Sequence, residues 1–227
     1  TASQSDLAGN STLISTTVVK NTSATTVSFM STPSINNSNV TSYTVTGSCS
    51  ENGRPVDIVI GGTVSSSPTC TGGSYSATVN ASSIGDSTSV SIVADHDDGI
   101  GNHDQATTSV IKDTVDPTVA LTSTPVINLA NASSYSVSGT CSDNGQLVIV
   151  SVNGTPYASP SCSGGTFTAS SMNVSGVSDG GAISVTASHS DVAGNSDLDS
   201  TTVVKDTVRP TVSIGSPSTT PINSSGS

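Results

Sequence analysis

The pattern Asp-x-x-Gly-Asn occurs three times in this chain, and its side chains could bind a hard metal ion. The copies are Asp6 to Asn10, Asp98 to Asn102 and Asp191 to Asn195. Each Asp lies 14 residues before a lysine, so the three patterns occupy one point of a repeating unit. A carboxylate and an amide carbonyl held on a tight turn are oxygen ligands of the kind that Ca²⁺ prefers. The spacing therefore predicts a calcium site at each turn.

A calcium ion takes about six to eight oxygen ligands, so one turn cannot complete a site. We expect the other ligands to be further aspartates of the same repeat, backbone carbonyls and water. The candidate aspartates are Asp97, Asp113 and Asp116 in the first full repeat and Asp206 in the second. The alternative is a plain turn in which Asp and Asn bond only their own backbone, and the sequence leaves both alternatives open.

The charge of the chain restricts its partners. There are 16 acidic residues, 15 of them Asp, against five basic ones, which gives a net charge of −11. Such a surface repels phosphate backbones, so we exclude nucleic acid. No apolar run approaches the roughly 20 residues that cross a bilayer. We therefore expect no membrane insertion by these residues, and we expect any export signal or anchor to lie outside them.

Four cysteines form two pairs at corresponding positions of the repeat. Cys49 recurs as Cys141 and Cys70 recurs as Cys162, each 92 residues later. Each pair encloses 20 residues that contain a turn, so we expect the disulfides Cys49–Cys70 and Cys141–Cys162. Closing such a loop contributes about 3 kcal/mol to the free energy of unfolding. Because disulfides persist in oxidising compartments, the chain is expected to be secreted or on a cell surface. Free thiols are the alternative, and no Cys-x-x-Cys spacing supports zinc.

The histidines and lysines also recur at fixed positions. His96 and His189 lie two residues before the turn aspartate, where we expect half-exposed side chains at the end of a strand.

The only lysines are Lys20, Lys112 and Lys205, one in each repeat. A lysine buried beside an acid could form an isopeptide bond, but a lysine at the end of the last strand favours a surface charge. No nucleophile, base and acid recur together, so we expect no enzyme.

Alternating apolar and polar residues predict short strands throughout the repeat. In the second repeat they cover about seven runs, at 118–123, 134–141, 147–153, 157–162, 166–172, 182–189 and 201–205. The first repeat matches them strand for strand. The second repeat gains one residue between its cysteine region and Asp179, which we expect in a loop. The pattern predicts an all-β fold of tandem Ig-like antiparallel β-sandwiches with one disulfide in each domain.

The repeat also predicts the domain boundaries. Residues 1–20 are expected to be the last strand of a preceding Ig-like repeat and 207–227 the first strand of a following one. Domain 1 is expected to cover 21–113 and domain 2 to cover 114–206. The connector from Lys112 to Thr118 reappears as Lys205 to Thr211, and its proline favours a short, extended segment.

The last two strands and the connector resemble a known family. Val185-Thr186-Ala187, followed by Asp191 to Asn195 and then by Asp206-Thr207 and Pro210-Thr211, is similar to the tandem Ig-like repeats of large bacterial cell-surface and secreted adhesins. The resemblance covers the repeat in length and order, although cysteine pairs are not general in that family.

The resemblance implies long stalks that calcium stiffens near module junctions. It implies two ligand sets, Asp98, Asn102 and Asp113 in one repeat and Asp191, Asn195 and Asp206 in the other. Asn21 stands where Asp113 and Asp206 stand later. The first junction is therefore expected to hold calcium weakly or not at all.

We therefore expect an extracellular structural or adhesive module, part of a long repetitive bacterial adhesin. Its partners would be the neighbouring repeats, with a host or prey cell-surface protein or glycan as a further candidate. The alternatives are a ligand-binding Ig-like module and an accessory domain of a secreted enzyme. Carbohydrate sites usually present aromatic platforms, and this chain has no Trp and four Tyr, which favours the spacer.

Overall fold

The computed structural model describes residues 1–216. The described chain forms two compact units, of which the first is Thr1–Val115 and the second begins at Asp116. Residues 217–227, part of the strand predicted for a following repeat, lie outside the described residues. Among residues 1–216, no helix is long and apolar enough to cross a membrane.

The first unit opens with an exposed antiparallel hairpin of β1 (Ala2–Ser5) and β2 (Ser11–Ile14). Its β-sandwich follows, with one sheet in the strand order β3-β4-β7 and the other in the order β6-β5-β8-β9. The strands are β3 (Val27–Ser31), β4 (Tyr43–Cys49), β5 (Val56–Ile60), β6 (Val64–Ser66), β7 (Ser74–Val79), β8 (Ser87–Asp97) and β9 (His103–Lys112). One 3₁₀ turn, Val40–Ser42, precedes β4.

The second unit repeats this architecture. One sheet has the order β10-β12-β15 and the other the order β11-β17-β16-β13-β14. The strands are β10 (Val119–Ser123), β11 (Ile127–Asn128), β12 (Tyr135–Cys141), β13 (Val148–Val152), β14 (Thr155–Ala158), β15 (Thr166–Met172), β16 (Gly180–Ser190) and β17 (Ser196–Asp206). The predicted all-β, Ig-like sandwich is confirmed, and so are both disulfides.

Each unit has one core, which lies between its two sheets. In the first unit Val45 faces the core from one sheet, and Ile58 and Ile92 face it from the other. A fully buried tyrosine lies in each core, and its hydroxyl donates a 2.7 Å hydrogen bond to a proline carbonyl, Tyr43 to Pro33 and Tyr135 to Pro125. This bond fixes the segment that follows the first strand.

The final hairpin is longer than the sequence predicted. β16 and β17 each have 11 residues, whereas the apolar alternation suggested 182–189 and 201–205. The early part of β17 carries Asp197 and Asp199, whose carboxylates accept backbone N–H bonds from Val119 and Leu121. Because these strand residues are polar, hydrophobic periodicity did not reveal them.

The residue gained by the second repeat lies in a strand, not in a loop as we expected. Val137 pairs with Ala169, but Tyr135 pairs with Met172, so the register of β12 and β15 shifts between these pairs. Ser171 has a φ of 60°, and the extra residue forms a β-bulge there. The corresponding strands β4 and β7 of the first unit keep one register throughout.

We predict that Gly47→Ala destabilises the first unit. A Cβ atom at this position would overlap the Ser28 carbonyl and the Tyr75 ring. Overpacking of this kind costs about 1–3 kcal/mol in the free energy of unfolding. Urea denaturation followed by NMR signals of the first unit would measure the loss.

Gly85→Ala is the matched control for this prediction. A Cβ atom added at Gly85 would have no heavy atom within 4 Å, and Gly85 does not adopt a positive φ. Equal stability of the Gly47→Ala and Gly85→Ala variants would contradict the close approach of Tyr75 to the backbone.

Candidate functional site

The Asp-x-x-Gly-Asn turns join the last two strands of a repeat and are closed by their own side chains. Oδ1 of Asp98 accepts the backbone N–H groups of Ile100 and Asn102 at 2.9 and 3.0 Å. Oδ2 accepts the side-chain amide of Asn102 at 2.5 Å. Each Asp carboxylate therefore binds the turn on which it is carried, as in an Asx-turn.

The other two copies have the same arrangement. In the first copy both oxygens of Asp6 accept bonds from Asn10, one from its backbone and one from its side chain. In the third copy Asp191 accepts the corresponding bonds from Asn195. The turn is thus a recurrent element that the sequence specifies locally.

The donors around these carboxylates favour the charged form. The pKa of Asp98 lies below its usual value because the Ile100 N–H, and also Asn102, hydrogen-bond the carboxylate. The pKa of Asp6 is lowered chiefly by the Asn10 side chain. Each of these two turns therefore presents a permanent negative charge at neutral pH.

A connector residue also meets the turn in the first unit. The side-chain amide of Asn21 donates to Oδ2 of Asp98 at 3.1 Å, and the Asn102 amide donates to the Asn21 carbonyl at 3.3 Å. The segment that enters the sandwich is thereby attached to the turn between β8 and β9. The Asn21 amide supplies positive partial charge to the carboxylate.

The structure does not bring the connector aspartate of a repeat to the Asp-x-x-Gly-Asn turn of the same repeat. Ser87 pairs with Lys112 at one end of the β8–β9 hairpin, and Asp97 pairs with His103 at the other. Asp113, which follows Lys112, therefore lies about 30 Å from the Asp98 turn, given about 3.3 Å for each strand residue. Asp206 is separated from the Asp191 turn in the same way by β17.

Asp97 has a different partner. Its Oδ1 lies 2.5 Å from the Arg54 guanidinium and accepts the Gly99 N–H at 2.7 Å. The Arg54 hydrogen bond is the main cause of its lowered pKa. Within residues 1–216 no group of three or more His, Cys, Asp or Glu side chains is arranged to hold a metal. One turn alone does not fit calcium.

The opposite end of each unit carries an ion pair between a buried lysine and a partly exposed aspartate. Lys112 is 4% exposed and its Nζ donates to Asp86 at 2.7 Å, and Lys205 is 3% exposed and donates to Asp179 at 2.8 Å. We expected surface charges, and this prediction was wrong. The alternation of β9 and β17 continues as far as the lysine, so the lysine points inward, and the partly exposed carboxylate of Asp86 or Asp179 neutralises its charge.

The same carboxylate also holds the connector. Asp179 accepts the backbone N–H of Thr207 at 3.0 Å and its hydroxyl at 2.9 Å. Asp86 accepts the equivalent bonds from Thr114. We call each Asp-Lys-Thr set the exit clamp, because it fixes the chain where it leaves the sandwich. Hydrogen bonding from Lys205 and Thr207 lowers the pKa of Asp179 to about 2.

Sequence reasoning missed both aspartates of the exit clamps. The signal was present, because Asp86 precedes Lys112 by 26 residues and Asp179 precedes Lys205 by the same number. Asp and Lys at one constant separation in both repeats indicate a pair. Neither aspartate lies near its lysine in the chain, however, so each charge taken alone suggests an exposed residue.

His96 and His189 are buried, 1% and 0% exposed, not half-exposed as we expected. Nε2 of His96 accepts the Glu51 N–H at 3.1 Å, and its Nδ1 lies 2.8 Å from the Pro55 carbonyl. Since an N–H can only donate and a carbonyl only accept, Nδ1 carries the proton. His189 makes the equivalent contacts with Asp143 and Leu147. The two rings are structural.

No family model matches this sequence, and the comparison with curated proteins found no match. Several solved structures align with most of this chain at low sequence identity. One is described as a Ca²⁺-stabilised adhesin with which an Antarctic bacterium binds ice (25% identity, TM-score 0.37), and it aligns over 89% of this chain and 55% of its own. A tetra-tandem repeat from the extending region of a large adhesion protein shows 22% identity and a TM-score of 0.35, over 90% and 55%.

A third similar structure is that of a 1.5-MDa bacterial ice-binding adhesin, with 24% identity and a TM-score of 0.35. It aligns over 90% of this chain and 72% of its own. The present chain thus spans only about 55% of the length of the first two structures.

We predict that the exit clamp makes the stability of the second unit depend on acid pH. The pKa of Asp179 is about 2 in the folded chain and 3.8 at its ordinary value. A lowered folded-state pKa stabilises the fold above the ordinary value, and this contribution is lost as the pH falls toward 2. Urea denaturation between pH 7 and pH 2, followed by NMR signals of the second unit, would measure it.

Asp179→Asn and Lys205→Met should each flatten this part of the pH profile. The asparagine variant lacks the titrating group, and the methionine variant lacks the ammonium that lowers its pKa. Profiles of both variants parallel to that of the unmodified chain would show that the clamp does not contribute.

Proposed function

We propose that this chain is a tension-bearing spacer, built of extracellular Ig-like repeats within an adhesin-like surface protein. The observation that carries the proposal is the parallel pairing of an early segment with the last strand of each unit. Ile35 bridges Lys112 in parallel, and Ile127 and Asn128 pair in parallel with Lys205 and Asp206.

Parallel pairing determines how the unit responds to a pull on its two ends. The chain enters at the end where Val27 bonds Asp104, close to the start of β9, and leaves at Lys112. Tension therefore slides the Ile35 segment and β9 past each other. The bonds from Ile35 N–H to the Ile111 carbonyl and from Asp113 N–H to the Ile35 carbonyl, both 2.9 Å, resist this shear together.

The exit clamp reinforces the same point. Thr114 lies directly beyond the sheared bonds and is attached to Asp86, which also holds the buried Lys112. A pull on the connector therefore acts on this set before it reaches the sheet. Because the lysine is buried, separating the pair would leave an uncompensated charge in the core, which is strongly unfavourable.

The disulfide closes the other end. Cys49 pairs with Val27, the first residue of β3, and is joined to Cys70, 21 residues later. The bridge keeps the intervening segment from extending even when the rest of the unit has unfolded. It therefore limits how far one repeat lengthens under force.

The aromatic residues support a spacer more than a glycan-binding module. Tyr43, Tyr75, Tyr135 and Phe167 are buried, and the remaining two, Phe29 and Tyr157, are half-buried against the cores. In the described part of the chain no aromatic ring is therefore presented flat to solvent as a sugar platform.

Single-molecule stretching of the chain tests this function. We expect each unit to unfold in one step, with a contour-length gain that excludes the segment closed by the disulfide. The double substitution Cys49→Ser with Cys70→Ser should lengthen the first unit's step by about 70 Å, at about 3.4 Å for each of the released residues. The unaltered second unit in the same molecule serves as the internal control.

The exit clamp is tested in the same instrument. Asp86→Asn should lower the unfolding force of the first unit, whereas Asp57→Asn, an exposed carboxylate on β5, should leave it unchanged. Equal unfolding forces for the two variants would contradict a tension-bearing role of the exit clamp. So would an unmodified first unit that unfolds at the same force as the Asp86→Asn variant.

A second part of the proposal is that calcium binds at some of the Asp-x-x-Gly-Asn turns. The contact between Asn21 and Asp98 places an amide against a carboxylate, and the sequence repeat has Asp113 and Asp206 at the position of Asn21. We propose that a turn takes calcium when the connector residue that meets it is an aspartate, because two facing carboxylates repel each other and provide the oxygen ligands that calcium prefers. Bound calcium would then stiffen the array.

The first unit offers a direct test of this rule. Asn21→Asp should create calcium-dependent thermal stability there, and adding Asp98→Asn should abolish it. Calorimetry with calcium and with magnesium measures binding, and solution scattering with and without a chelator measures stiffening of the unmodified chain. The absence of calcium binding by Asn21→Asp would refute the rule without affecting the tension-bearing role.

A further inference from the structure

β7 forms one edge of its sheet in the first unit. Among residues 1–216 β4 is the only strand with which it pairs, and its first residue, Ser74, also closes a turn with Thr71. The bond from Cys49 N–H to the Gly73 carbonyl sets the phase of the pairing, so Tyr75, Ala77 and Val79 direct their backbone groups toward β4. Ser76 and Thr78 therefore direct their N–H and carbonyl groups away from the sheet.

This edge lacks the devices that usually protect a sheet. Natural edges are blunted by charged side chains, proline, bulges or short strands. The six residues of β7, Ser-Tyr-Ser-Ala-Thr-Val, include no charge and no proline. No charged residue occurs anywhere from 63 to 85. The pairing with β4 keeps one register along its whole length.

The corresponding edge of the second unit is protected. β15 carries the β-bulge at Ser171, which interrupts its register and twists the strand. The two units share core, disulfide and exit clamp, but only the first has a flat edge strand. The single extra residue of the second repeat lies at this edge. The two edges therefore differ in the regularity of the edge strand, which decides whether a further strand can pair with it.

We propose that β7 is a self-association site, where the same strand of a second copy of this chain adds in antiparallel orientation. The chain carries a net charge of −11, so most faces of two copies repel each other, and the uncharged edge is where they approach without opposing carboxylates. An open groove of about 620 Å³ adjoins the edge and is lined in part by Ser74, Ser76, Met30 and Pro68.

We place the two-fold axis of the pair at Ala77, in the middle of the outward-facing residues. Antiparallel pairing about this axis sets Ala77 opposite Ala77 of the second copy, and Ser76 opposite Thr78. Ser76 and Thr78 then exchange both backbone bonds with their counterparts, because their groups point outward. Four hydrogen bonds with little apolar burial make a weak contact, which many copies on one surface would strengthen through effective concentration.

Charge variants test both the site and the register. Ser76→Lys with Thr78→Lys places like charges opposite each other twice and should weaken dimerisation at least about tenfold. Ser76→Lys with Thr78→Asp places opposite charges together and should dimerise at least as tightly as the unmodified chain. Sedimentation velocity of the whole chain over a concentration series measures both, and amide exchange of Ser76 and Thr78 should slow as the dimer forms.

The natural bulge provides the matched control. Inserting one Ser between Thr78 and Val79 should abolish self-association while keeping the first unit folded, as judged by its NMR spectrum. Deleting Ser171 should give the second unit a flat edge and a new association site. A strictly monomeric unmodified chain at the highest concentrations, or equal dimerisation of the two charge variants, would overturn the proposal.

Discussion

Each unit depends on the neutralisation of one buried ammonium group. Lys112 and Lys205 lie almost wholly inside, and a charge there is tolerated only when a carboxylate accompanies it. This requirement fixes Asp86 and Asp179 in the loop before the longest strand, and the same carboxylates then take the N–H and hydroxyl of the next threonine. The position of the last strand, the loop beneath it and the direction of the connector therefore follow from one ion pair.

The fold could be predicted from the sequence because its signals are local. The alternation in strands such as β12 and β13, the paired cysteines and the 92-residue repeat together specified tandem sandwiches with one disulfide each. The final hairpin was underestimated because Asp197 and Asp199 occupy strand positions with polar side chains that serve the neighbouring strand. The extra residue was assigned to a loop because length changes are commonest there, yet a bulge accommodates it within β15.

The site was less predictable, because its contacts are non-local. The hydrogen bonds within the Asp-x-x-Gly-Asn turns are local, since Asp98 bonds its own turn. The sequence could not show that Asn21, 77 residues away, also contacts that turn. Asp113 is grouped with Asp98 as an aspartate of the same repeat and by the family resemblance, although a ten-residue strand separates the two. His96 and His189 were misjudged because a polar residue near a turn usually faces solvent, whereas the inward phase of the strand places these rings in the core.

The burial of the lysine in each exit clamp also affects how the chain responds to ionic strength. Mobile ions screen charges that water reaches, and at seawater-like salt exposed pairs separated by more than a few ångströms lose most of their attraction. The side chains of Lys112 and Lys205 are 3% and 2% exposed, whereas those of Asp86 and Asp179 are 36% and 32% exposed, so dissolved ions reach only the carboxylate side of each pair. The attachment of each repeat to its connector is therefore less sensitive to salt than the repulsion among the exposed aspartates of the surface. Changes in salinity would alter the repulsion between copies of the chain more than the attachment of each repeat to its connector.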